Sequence, residues 1–320
     1  MKHTDDAYAA MLLTLALSPN KEEYVRPFSV LEFRRFEEAA RASRYHSIGQ
    51  LMDVDISGMM LYMGLSEEEA YRAHTLLHRN VTLSYALEGY MMEGLDIVTQ
   101  YDDEYPRRLE RKLGAFAPPC IYRCGDPEIL NRPTLAVMGI SGVRTTAEVR
   151  AAIEKLVRGA AERGYVVATG GELGVSRVAQ GAVLEQSGGA LLDILGGGMH
   201  DHLKEDAIAA LVGQHRCTVL STEHPDAMFT VSHAIARNKL LFALADAAFI
   251  FSTDGHRGEL DALQNRTCDW IYAWTGHPGN EPLIARGARP LKGPESIDLD
   301  EMCRHWASSR AEQVSFFDLM

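Results

Sequence analysis

The chain has 320 residues, 46% of them hydrophobic and 24% charged, and carries a formal net charge of −12. That length buries a sizeable core in one large domain or two smaller ones, and no apolar run approaches the roughly 20 residues that cross a bilayer. The acidic balance excludes a generally basic nucleic-acid coat but leaves room for a local basic groove.

Asp5 and Asp6 lie where a signal peptide carries positive charge, so the N-terminus reads as a first helix of a cytoplasmic protein. The five cysteines are scattered, with no Cys-x-x-Cys pair, which argues against a zinc site or a disulfide framework. Residues 1–92 form a helical region by pattern, with apolar spacing over Tyr8–Leu17, Val30–Ala42, Ile48–Met52, Ser57–Met63 and Glu67–Met92. Ser66 ahead of Glu67, Glu68 and Glu69 is a predicted N-cap. The Gly-punctuated pair of short helices around it resembles a helix-hairpin-helix or SAM-like module, with plain helical packing as the alternative.

The pattern changes at Leu95. A short strand, a helix after Tyr105-Pro106 and a proline-punctuated connector lead into regular alternation over residues 93–292. Strands are predicted at Thr134–Gly139, Tyr165–Thr169, Ala190–Leu195, Cys217–Ser221, Ala247–Phe251 and Trp270–Trp274. Helices are predicted at Thr146–Arg163, Val175–Ser187, Lys204–Val212, Val231–Leu244, Gly258–Gln264 and Glu281–Arg286. This predicts an α/β fold: a doubly wound, mostly parallel Rossmann-like sheet preceded by a small helical domain. Residues 293–320 read as a C-terminal tail.

Glycines gather at the predicted strand C-termini, where such sheets bind ligands. Gly139, Ser141 and Arg144 follow the first parallel strand; Thr169, Gly170, Gly171, Gly174 and Ser176 follow the next; Gly197 follows the third. The helix AIARNKLLFAL brings Arg237, Asn238 and Lys239, and the loop after its strand brings Gly255, Arg257 and Gly258. Backbone N–H groups at such turns, with cations beside them, suit phosphate oxygens. The bland alternatives are a solvated cationic pair for Arg237 and Lys239, a loop salt bridge for Arg144, a helix cap for Ser176 and a turn at Gly197. Glu223 suits a ribose or base edge as well as a loop hydrogen bond. His200, Asp201 and His202 lack a third metal ligand and read as a solvated turn. No metal and no cofactor is expected, and neither a Walker loop nor a Ser-His-Asp set is present.

On these residues the chain resembles the DprA (Smf) family of DNA-processing proteins over roughly Leu95–Leu291. VVATGGELGVSRVAQGAVL lies over the family's Ser-Gly-x-Ala-x-Gly-Ile-Asp-x-x-Ala-His segment, ARNKLLFALADAAFIF over its Arg-Asn-Arg signature and GHRGELDA over its Ser-Gly-Ser loop. Ser176 and Gln180 stand where the family pattern has Asp and His. The resemblance implies a Rossmann-type core that binds single-stranded DNA without catalysis, as a homodimer, and hands it to a RecA-type recombinase during DNA uptake or recombination. Steep salt dependence follows if many cations meet phosphates. The alternative is a nucleotide sensor with a defence or regulatory role, or a nucleotide phosphoribohydrolase of the LOG type in which Glu259 or Asp261 serves. Gln313, Phe316 and Phe317 in QVSFF resemble a short sliding-clamp-binding peptide.

Overall fold

The computed structural model describes residues 3–18, 25–142, 144–255 and 258–307. The chain opens with helices α1 (Asp5–Thr14), α2 (Val30–Ala42), α3 (Ile56–Met63), α4 (Glu67–Leu77) and α5 (Asn80–Met92). Ser29 and Ser66 each close a capping box, with Glu32 and Glu69, so two N–H groups at each helix start are satisfied reciprocally. Gly64, at φ +69°, ends α3 in the left-handed conformation that a Cβ disfavours. The single helix predicted over Glu67–Met92 is two, broken at His78 and Arg79. At the break the Arg79 guanidinium donates to the Leu12 and Leu15 carbonyls, tying α1's last turn to the corner. A pattern of apolar residues does not show where tertiary contacts bend a helix.

Then follow β1 (Leu95–Thr99), α6 (Arg107–Leu113), β2 (Cys120–Gly125), β3 (Thr134–Met138), α7 (Ala147–Glu162), β4 (Val166–Thr169) and α8 (Val175–Glu185). After these come β5 (Ala190–Leu195), α9 (His200–Leu203), α10 (Asp206–Gly213), β6 (Cys217–Ser221), α11 (Val231–Leu244) and β7 (Ala247–Ile250). The order closes with α12 (Glu259–Gln264), β8 (Trp270–Trp274), α13 (Glu281–Ala285) and β9 (Arg289–Leu291).

All strands join one nine-stranded sheet in the order β1-β2-β6-β5-β4-β3-β7-β8-β9. From β6 to β9 it is parallel; β2 pairs antiparallel with β6, and β1 antiparallel with β2. The sheet is therefore mixed at one edge, and β2 replaces part of what sequence reasoning assigned to a connector. Its prolines fall just outside it, at Pro118-Pro119 and Pro127, where a missing N–H costs no ladder bond.

Side chains alternate between two core layers. Leu135, Val137 and Phe249 face α7, α8 and the N-terminal helices; Ala136, Met138 and Ile250 face α6, α11 and α12. Helices on both faces make the sheet doubly wound. The N-terminal helices share the first layer, and they are fixed by buried polar contacts as well. Glu37 accepts from Gln100 Nε2 at 2.8 Å and from the Tyr101 hydroxyl at 2.6 Å.

Residues 293–307, expected as the start of a tail, pack into the same layer. Leu299, Met302 and Trp306 are buried, and Trp306 Nε1 donates to the Tyr272 hydroxyl at 3.1 Å. Lys155 Nζ donates to the Pro294 carbonyl at 3.0 Å. The acidic composition of this stretch hid three apolar anchors at helical spacing. Burial also pushes the thiols of Cys120 and Cys268 up to about 12, which makes both inert at neutral pH.

Candidate nucleic-acid interface

The chain leaves β3 toward β4 on one side of the sheet, and β7 lies on the other side. The crevice between the C-terminal ends of β3 and β7 is therefore the topological switch point, the usual ligand position in such sheets. Gly139 follows β3 there. A Cβ on it would lie 2.5 Å from Val175 Cγ2, so the close packing of β3 on α8 requires glycine. Val137, Gly139, Gly170, Glu172, Asn238, Ser252 and Glu259 line a cavity of about 10 Å³ at this point. That is room for about one water. Ser252 Oγ accepts from the Ile140 N–H at 2.9 Å and links the two loops.

Arg237 reaches this crevice from α11 but does not present a free cation. It is 2% exposed. Its Nη1 donates to the Gly170 carbonyl at 2.6 Å, and its Nη2 donates to the Glu172 carboxylate. Lys239 points elsewhere. Residues two apart on a helix are about 200° apart around the axis, so Arg237 and Lys239 cannot share a ligand on one face. The Lys239 ammonium lies 5.4 Å from the centroid of the Phe116 ring, at a cleft of about 620 Å³ between the N-terminal helices and α11. Phe28, Phe116, Glu223 and His233 also line that cleft. The expectation of one groove built by Arg237 and Lys239 is thus corrected: the pair is split by helix geometry. Asn238, 5% exposed, lines the switch-point cavity.

Three further candidates are spent inside the protein. Thr169 is fully buried at the end of β4, and its hydroxyl donates to Asp193. Ser176, 2% exposed, lies inside the first turn of α8, whose N-cap position is held by Gly174 (φ +96°) instead. Gly197 packs against the backbone of Phe229, so its missing side chain serves loop packing. Gly170 and Gly171 form the turn after β4, where Gly171 at φ +74° packs on Leu195 and His202. Ser141 and Arg144 are exposed on the loop after β3. Gly255 (φ +76°) has open space around it, and Gly258 (φ +92°) caps α12. Arg257, Gln313, Phe316 and Phe317 lie outside the described residues. Glu223 faces His233, at 3.4 Å.

Sequence reasoning missed a buried polar hub beneath the rim. Asp193, wholly buried on β5, accepts from Thr169 Oγ1, from Gln180 Nε2 at 2.8 Å and pairs with His202 Nε2 at 2.8 Å. His202 continues to Glu205 at 3.4 Å, and Glu205 pairs with Arg177. Burial works against the His202 charge, and the Asp193 and Glu205 carboxylates together outweigh it, so the imidazole pKa lies above its ordinary value. Gln180, which stands where the family pattern has His, completes this hub. The signal was present in LLDIL: an Asp inside an apolar strand needs buried partners. Among the described residues no cluster suits a metal ion.

The rim also exposes apolar side chains. Leu173, Met228 and Phe229 are 56–85% exposed on the loops after β4 and β6, Val231 is 62% exposed at the start of α11, and Phe116 is 57% exposed beside Lys239. These positions escaped sequence reasoning because exposure of a single Phe or Met has no pattern.

The family model for DNA recombination-mediator protein A matches residues 96–297. The curated DNA processing proteins DprA of two Mycobacterium tuberculosis strains are each 28% identical over 246 residues. That match takes in 72% of this chain, which spans 59% of the length of each relative. DNA processing protein A of Streptococcus pneumoniae superposes with a TM-score of 0.64 at 18% identity, over 93% of this chain and 98% of that one. DNA processing protein A of Helicobacter pylori, solved for its single-stranded DNA binding mode, superposes with a TM-score of 0.51 at 20% identity, over 63% and 92%. At these identities the two structures speak for the fold.

Proposed function

The chain belongs to the DNA recombination-mediator protein A family, and from that premise we propose that it binds single-stranded DNA along the C-terminal rim of its sheet. One observation carries this reading. The rim exposes Leu173, Met228 and Phe229 and the cation Arg144, and the neighbouring cleft, which the loop after β6 also lines, adds Phe116 and Lys239. Bases stack on aromatic faces at about 1–3 kcal/mol each, whatever their sequence, while cations hold the phosphates.

Arg237 is buried against Glu172 and Arg177 is paired with Glu205, which leaves few cations for phosphates. Single-strand binding loses about 0.7 in log–log salt slope per neutralised phosphate, so two contacts give a slope of about −1 to −2. This is shallower than the sequence suggested. Fluorescence anisotropy of a labelled oligothymidylate across salt concentrations tests it. Arg144→Ala and Lys239→Ala should each weaken binding at every sequence and reduce the slope by about 0.7. Binding without salt dependence, or unchanged in both variants, removes the proposal. A mononucleotide that competes fully with the oligonucleotide would move the reading to a nucleotide sensor.

The family premise extends the proposal to a homodimer that delivers DNA to a RecA-type recombinase in the cytoplasm. Among the described residues no helix is long and apolar enough to cross a membrane. Contact with a sliding clamp through Gln313–Phe317 rests on that peptide pattern alone.

A further inference from the structure

Arg237 and its surroundings have the parts of an anion site, with a carboxylate of the same chain in the anion's place. The guanidinium bonds to Gly170 and Glu172, which line the switch-point cavity, where an α/β sheet receives its ligand. One nitrogen is fixed by the Gly170 carbonyl at 2.6 Å. A Cβ on Gly170 would lie 1.5 Å from that nitrogen, so glycine is what lets the arginine enter. The other nitrogen is turned to Glu172, whose side chain is 14% exposed and therefore reaches the surface, while Arg237 itself is 2% exposed.

The segment that carries Glu172 is a short loop between β4 and α8. Gly171 and Gly174 bracket it at φ +74° and +96°, and Leu173 at its tip is 63% exposed. A backbone bond from the Gly142 N–H to the Leu173 carbonyl, at 3.3 Å, ties it to the loop after β3. The buried arginine needs a negative partner at all times, because an uncompensated buried charge is strongly unfavourable. A phosphate oxygen meets that need as well as a carboxylate, and with a guanidinium it makes the same two-pronged contact.

We infer that Arg237 is an anion-binding residue held shut by Glu172, and that a phosphodiester or a free pyrophosphate enters by displacing the Glu172 side chain on the Gly170–Gly174 loop. No atom is transferred; one anion replaces another on the same guanidinium. In the DNA complex the displaced loop would admit a single backbone phosphate to the switch point. This deepens the proposed function and rests on it for the identity of the natural ligand, though not for the anion site itself.

The test uses Glu172→Gln in the full chain, with inorganic pyrophosphate by titration calorimetry and labelled oligothymidylate by anisotropy as separate probes. The variant keeps the shape of the side chain and removes its charge. It should bind pyrophosphate about tenfold more tightly than wild type, the scale of one freed charge-assisted contact. The double variant Glu172→Gln, Arg237→Met should lose that gain. No gain for pyrophosphate in Glu172→Gln, or a gain that survives the loss of Arg237, overturns the inference. A pyrophosphate gain with no binding of oligothymidylate by either protein upholds the anion site and removes the DNA reading. A DNA affinity equal in both proteins, with no pyrophosphate gain, does the reverse. Should Glu172→Gln not fold, wild type is followed by hydrogen exchange in excess pyrophosphate. Faster exchange across residues 170–174 is then expected, and an unchanged pattern overturns the inference.

Discussion

Asp193→Ala is expected to destabilise the protein by about 3–5 kcal/mol, the cost of stranding a buried charge and its donors. His202 would keep its site, 8% exposed, without the carboxylate that supports its proton. Thr169 and Gln180 would lose their acceptor as well, and each unmet buried group adds its own cost. Urea unfolding of wild type and variant measures the difference; a loss under about 1 kcal/mol would mean that the hub is not an ionic unit. The sign of the pH dependence follows from the same pair. The folded pKa of His202 is raised above the ordinary 6.5, so its stabilisation is complete below that value and is lost as the pH rises through the raised one. Wild-type stability should therefore fall on moving from mildly acidic to alkaline pH, and Asp193→Asn should flatten that part of the profile. The consequence for function is local. Thr169 and Gly171 stand on this hub, so the rim loop that carries Glu172 should lose its set geometry first.

Trp306→Ala is expected to cost about 3–5 kcal/mol, as for other buried aromatic truncations. The indole is 5% exposed, lies in the layer under β8 and donates to Tyr272. Calorimetric melting of the variant checks this. A change within about 0.5 kcal/mol, usual for surface positions, would show that residues 293–307 are an accessory to the core and not part of it. Shortening the chain at residue 292 should do at least as much harm, since Leu299 and Met302 leave with the tryptophan.

The parallel sheet was legible because its strands are continuous apolar runs separated by helical spacing. Ala190–Leu195, Cys217–Ser221 and Trp270–Trp274 agree with their predicted limits to the residue. β2 was not legible: CIYRCG lies between prolines, and Arg123 interrupts the run, although that arginine is 4% exposed and paired with Asp96 and Glu104. The glycine-rich rim was legible, whereas the state of its cations was not. Composition cannot tell a solvated arginine from one that a neighbouring loop has neutralised, and Glu172 sits among positions noted for glycine and hydroxyl groups rather than for charge. Helical arithmetic alone, applied to Arg237 and Lys239, would have separated the two.

The most direct measurement of the central claim is photo-crosslinking of a 4-thiothymidine oligonucleotide to the full chain, with the adducts located by peptide mass spectrometry. The account predicts adducts on the rim, in the segments holding Phe116 and residues 222–231, and their loss on competition with unlabelled single strand. Adducts confined to α3, α4 and α5, with the rim peptides unmodified, would contradict it.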